Sequence, residues 1–170
     1  MAMSMYSASV PVFIRMLNNL TGLLKKGEAY AEAKKVQPEV LINSRLAPDM
    51  FPLSRQIQIA SDAARRCVAR LAGMEAPKIE DNEKTFAELY KRIDTTIDYL
   101  KSFKSGQIDG TEEKPITVEV RGNTLNFQGM AFLLSFSLPN FYFHITTAYN
   151  ILRHNGVDIG KQDFLGKTPG

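Results

Sequence analysis

Apolar residues recur at helical spacing in four long stretches of the chain, and these stretches set the expected fold. In the first, Phe13, Met16, Leu17, Leu20, Leu23 and Leu24 share one side of a 3.6-residue period. This helix is expected to start near Ser9, tolerate Pro11 in its first turn, and reach Lys35 despite Gly22 and Gly27. The second stripe is Leu53, Ile57, Ala60, Ala64, Val68 and Leu71, opened by Pro52 and stopped by Gly73. A Thr85/Glu88 capping box precedes the third, in which Phe86, Leu89, Ile93, Ile97 and Leu100 face inward before Gly106. The fourth is expected to begin at Pro139 and run to about His154, where Asn155 and Gly156 end it.

The pattern between these stretches is different. Ile116, Val118 and Val120 alternate with Thr117 and Glu119, and "RGNT" then supplies turn chemistry before "LNF". That predicts a short two-stranded hairpin. "GMAFLLSFS" is apolar and reads as a short helix, while "VQPEVLINSRLAPDMFP" is a proline-rich connector with one helical turn after Pro38. The tail 157–170 is glycine-rich and expected to be extended, with Phe164 and Leu165 available to dock on a neighbour. The sum is an all-α four-helix bundle, one domain over 1–170, with a small hairpin before the last long helix.

Composition narrows what such a bundle does. Hydrophobic residues make up 44% and charged residues 23%, as in an ordinary globular domain. The net charge is +3, but the basic residues are scattered among acids, so no nucleic acid partner is expected. One cysteine, Cys67, excludes an internal disulfide and a cage of several thiolates; its ordinary role is that of a small buried apolar group. No export segment is recognisable, and the longest apolar run is too short to span a bilayer. The expectation is a cytoplasmic protein with no membrane partner.

The segments "SMYSASVPVFIRMLNNL", "RLAPDMFPLSRQIQIASDAA", "RLAG", "LPNFYFHITTAYNILRHNG" and "GKQDFLG" carry a resemblance. Over about residues 3–166 the chain resembles a bacterial domain-of-unknown-function family grouped with the DinB/YfiT-like four-helix-bundle proteins. The resemblance implies a DinB-like up-down-down-up bundle, often a homodimer. It also implies, for relatives in the wider superfamily, a zinc or nickel ion held by three histidines. One of those comes from the second long helix and two from an H-x-x-x-H pair on the last. Several such relatives are thiol-dependent transferases or isomerases.

Against that pattern, His144 stands at the second position of the pair and Asn140 at the first. The second long helix has no histidine, only Gln56 and Gln58 on its early turns. Neutral amides are weak ligands for zinc or nickel, so no metal is the expectation, and His144 with substitute ligands is the alternative. His144 and His154 cannot share an ion, because ten helical residues rise about 15 Å and leave the side chains roughly 80° apart. His154 suits the C-terminal turn, where its ring meets free carbonyls.

His144 shares a stripe with Asn140, Phe141, Ala148 and Ile151, so it is expected to face inward and find a partner such as Gln56 or Tyr149. His144, Asn140, Gln56, Asp62 and Tyr149 are the candidate pocket residues. Asp62 and Gln58, four apart, are more simply a solvated polar pair. Asp49 is expected to cap or turn the chain before Pro52, and Tyr142 to pack. Catalytic signatures are absent. Two functions remain open: a non-catalytic bundle with a small-ligand cavity, and a metal-dependent transferase or isomerase built around His144.

Overall fold

A computed structural model of the chain describes residues 4–167. Four long helices form the frame: α1 (Val10–Lys34), α3 (Leu53–Ala72), α4 (Phe86–Lys101) and α7 (Leu138–His154). Short helices α2 (Pro38–Ile42) and α5 (Ser105–Ile108) sit in the connections. Strands β1 (Pro115–Val120) and β2 (Asn123–Gln128) pair antiparallel, and α6 (Gly129–Ala131) leads into α7. Helix α8 (Lys161–Leu165) follows α7.

Side-chain contacts fix the directions of the long helices. Phe13 meets Phe141 near the start of α1 and α7, and Leu152 packs over Gly27 farther along both, so the two run parallel. Tyr90, early in α4, donates to Glu28, late in α1, at 2.7 Å, which makes that pair antiparallel. Asp62 meets Arg92 while Gln58 meets Glu83, so α3 and α4 run parallel. Gln56 at the start of α3 meets His144, whereas Cys67 near its end lies beside Ser137. Helices α3 and α7 are therefore antiparallel, and the bundle is up-down-down-up.

The four apolar stripes read from the sequence close on one core. Phe13, Leu17, Leu20, Leu24, Ile57, Ala64, Val68, Leu89, Ile93, Phe141, Ile145 and Ile151 are all fully buried within it. Burying a Leu, Ile, Val or Phe side chain stabilises by roughly 1.5–3 kcal/mol each against leaving it exposed. The helix ends follow local chemistry. Thr85 and Glu88 form the expected capping box. At the end of α3, Gly73 adopts φ +76°, which lets the amide of Met74 reach back to the Ala69 carbonyl at 2.8 Å.

The hairpin turns through Arg121 and Gly122, both at positive φ, the conformation of a tight turn that matches strand twist. Ile116 and Val118 face the bundle, opposite Phe127 and Leu125 on β2. Phe127 packs at a tilt against Phe132 and Phe136, at centroid distances of 5.9 and 5.4 Å, tying the hairpin to the start of the last helix. Lys114 adds a bond to the Leu71 carbonyl at 2.8 Å, at the free C-terminal end of α3.

Two expectations need refinement. The last long helix spans Leu138–His154 with Pro139 in its first turn, as expected, but it does not start from a loop. The chain is helical from Gly129, with a π-helical stretch at Phe132–Ser137 that runs straight into α7. Proline has no amide to donate and its ring crowds the carbonyl four residues back, so a wide turn ahead of it accommodates the ring. The amide of Leu138 accordingly bonds the Leu133 carbonyl, five residues earlier.

Nor is the whole tail extended. Residues 161–165 are helical, Phe164 packs edge-on against Tyr149, and Asn19 and Arg15 bond the Leu165 carbonyl at 2.9 and 2.8 Å. The tail's apolar groups are used by their own chain. Among the described residues no helix is long and apolar enough to cross a membrane.

Candidate functional site

The candidate site lies between α3, the π-helical stretch with the start of α7, and the hairpin. There a cleft of about 310 Å³ opens to solvent. Ile59, Ala63, Val118, Val120, Phe132 and Phe136 supply apolar walls. Arg55, Asp62, Arg66 and Arg70 enter from α3, and Ser137 and Asn140 from the other side. The spacing explains this grouping: residues 55, 59, 62, 63, 66 and 70 fall on one face of a 3.6-residue helix.

Beneath the cleft's polar side, α3 and α4 enclose an ion network. Asp62 binds three guanidiniums: Arg65 at 2.6 Å, Arg66 at 2.9 Å and Arg92 at 2.9 Å. Arg92 also meets Glu83 at 2.8 Å and Asp81 at 2.9 Å. The side chains of Arg65 and Arg92 are only 1% exposed, so Asp62 neutralises cations that have no access to water. Gln58 donates to Glu83 at 2.8 Å and accepts from Arg55 at 3.1 Å. Gln58 is thus buried, and Asp62, at the floor of the cleft, is committed to arginines, so the simpler expectation of a solvated pair is overturned.

His144 sits farther along α7, facing α3. Its Nδ1 lies 2.7 Å from Gln56 Oε1, while Gln56 Nε2 donates to the Phe51 carbonyl at 2.9 Å. The second bond orients the amide, so its oxygen faces the ring and Nδ1 must carry the proton. Burial, and then the charge of Arg55, pull the His144 pKa down from 6.5 to about 4. The imidazole is neutral at pH 7.

A stability consequence follows from that neutrality. The folded pKa is below the unfolded one, so the full contribution is present above pH 6.5 and is lost as pH falls toward 4. Urea midpoints measured between pH 7 and 4 are expected to fall less steeply for His144→Gln than for the wild type. Parallel slopes would mean that the ring does not resist protonation.

The candidate residues divide among three places. Asp62 and Asn140 line the cleft, whereas His144 and Gln56 form a separate buried pair nearby. Tyr149 does neither; it stands with Thr146, Asn150, Lys161 and Phe164 on another face of α7. Tyr142 is half-buried and packs on Phe141 with ring centroids 5.8 Å apart. Asp49 does not cap α3, which has no side-chain cap, but it does turn the chain before Pro52, in a turn closed by the Met50 amide on the Ala47 carbonyl at 3.0 Å. His154 ends α7 on the surface, as expected. Cys67 is buried, its thiol pushed up to about 12 chiefly by desolvation, which leaves it inert.

A divalent metal of the kind the resemblance implies does not fit these donors. The Gln56 oxygen is already engaged by His144 Nδ1, and Asn140 stands apart in the cleft. The charge of Arg55 acts on the imidazole, and Arg66 and Arg70 line the cleft alongside. Among the described residues no three His, Cys, Asp or Glu side chains converge as a ligand set.

Comparison with known proteins agrees with this architecture. No curated protein matches the chain. A crystal structure of a DinB family member protein from Shewanella denitrificans is similar, with 46% sequence identity and a TM-score of 0.88. The match covers 97% of this chain and 93% of that one. The family described as "Domain of unknown function (DUF1993)" matches residues 5–165. With nearly the whole length matched and the bundle shared, the chain belongs to this DUF1993 family and has a DinB-like fold.

Proposed function

We propose that this protein is a small-ligand-binding bundle protein and not a metal enzyme, with the cleft between α3, α7 and the hairpin as its binding site. One observation carries the reading: apolar walls and a few converging polar groups share one concave site, the usual composition of a small-molecule pocket. The volume, about 310 Å³, is at the small end for such sites. The alternative, a metal-dependent transferase or isomerase centred on His144, would need substitute ligands such as Gln56 and Asp62, but the Gln56 oxygen is taken by His144 Nδ1 and Asp62 by three arginines.

Saturation-transfer NMR with single-ring aromatic fragments of neutral, cationic and anionic character tests the reading. At least one fragment is expected to bind the wild type and to lose binding in Ala63→Phe, which fills the cleft from α3. If no fragment binds, or if all bind Ala63→Phe equally well, the cleft is not a ligand site.

A further inference from the structure

Arginines surround the cleft, and most already have a carboxylate. Arg55 is held by Asp81, Arg65 and Arg66 by Asp62, and Arg92 by Asp62, Asp81 and Glu83. Arg70 differs. Among the described residues no carboxylate lies within ion-pair distance of it. It is half-buried in the cleft wall, with Cζ 6.0 Å from the centre of the Phe132 ring. Desolvation, followed by the charge of Arg66, lowers its pKa. The fold thus makes this cation costly to hold and supplies no acid to balance it, although partly buried charges are normally paired.

We propose that Arg70 is the anchor of a carboxylate-recognition site, and that the ligand is a small monocarboxylate whose apolar body lies against Ile59, Ala63, Val120 and Phe136, the half-buried apolar residues of the cleft wall. The inference rests on the ligand-binding reading above and names the ligand's class. A planar guanidinium presents two parallel N–H donors to a carboxylate, and removal from bulk water strengthens that pair. Arg66 stands beside it and shares Asp62 with two other arginines, so its own charge is only partly compensated.

The acids on the cleft wall set the limit on ligand charge. Asp62 and Asp81 are committed to arginines. Glu119 is exposed at the rim, where it accepts the Thr124 hydroxyl at 2.6 Å. One uncommitted guanidinium beside three acids matches a single negative charge. A phosphate monoester would bring nearly two charges into the same space. Carboxylate is therefore the better fit.

Calorimetry with 3-phenylpropanoate, 3-phenylpropanamide and phenyl phosphate distinguishes the cases. The carboxylate is expected to bind the wild type at least tenfold more tightly than the amide and the phosphate. Arg70→Gln is expected to weaken the carboxylate tenfold or more and leave the amide unchanged. Arg70→Lys, which keeps the charge and loses the fork, should fall between. Circular dichroism confirms that each variant is folded, and the three-ligand ranking on the wild type holds independently of any variant.

Equal binding of carboxylate and amide, with both lost in Ala63→Phe, would remove the carboxylate claim and leave the cleft standing. Tighter binding of phenyl phosphate would replace carboxylate by phosphate and overturn the proposal. An affinity for the carboxylate unchanged in Arg70→Gln would overturn it as well. Failure of all three probes would also remove it. The underlying reading fails only if no fragment of any charge binds, or if all of them bind Ala63→Phe equally well.

Discussion

Asp62→Ala is expected to destabilise the folded protein by about 3–5 kcal/mol, the usual result of removing one partner from a buried ion pair. Arg65 explains why. Its only ionic partner among the described residues is Asp62, and its Nε and Nη1 are buried without hydrogen-bond partners. Taking away the carboxylate strands a full charge in the interior. Arg92 suffers less, because Glu83 and Asp81 still hold it. Urea unfolding at pH 7 checks the value, and the thermal midpoint should fall by about 10 °C for a chain of this length. A loss under about 1 kcal/mol would show that Arg65 reaches water or another acid in solution.

Phe141→Ala should cost a similar amount, about 3–5 kcal/mol, by opening a cavity where α1 and α7 meet. Phe141 is completely buried and meets the Phe13 ring edge-on, with centroids 4.8 Å apart and planes at 86°. Such pairs add about 0.5–1.5 kcal/mol to the burial of the rings themselves. Phe141→Leu keeps most of the volume and is expected to lose less than about 1.5 kcal/mol. Guanidinium unfolding of both variants makes the comparison. Equal losses would mean that the edge-on contact, and not the packing volume, dominates this joint.

The helices and the hairpin were legible because each announces itself over many residues. Leu53 to Leu71 repeats at 3.6, Ile116 to Val120 repeats at two, and Thr85, Gly73 and the Arg121–Gly122 turn mark ends with known local chemistry. The inward direction of His144 and its bond to Gln56 were readable for the same reason, since both lie on core-facing stripes.

The cleft was not legible. Its walls come from segments about 60 residues apart, and nothing local says that β1 will face α3. The ion network did leave a trace: Gln58, Asp62 and Arg65 form a second stripe on α3, and Arg92 falls at core spacing between Leu89 and Thr96 on α4. Polar residues at core spacing on two helices signal mutual pairing, but single-helix reasoning assigns them to solvent. The π-helical stretch also escaped, because proline is ordinarily taken to open a helix and here it lies within one.

That wide stretch has a consequence for how the hairpin and its aromatic cluster are aimed. A stretch bonded five residues back holds about one residue more per turn than the α-helical coil, so it sets the angle at which Phe132 and everything upstream meet the α7 axis. Phe132 is thereby placed with its ring centre 6.0 Å from the Arg70 guanidinium, and Val118 and Val120 line the cleft opposite α3. The phase of that one wide turn therefore decides whether the cleft has a third wall.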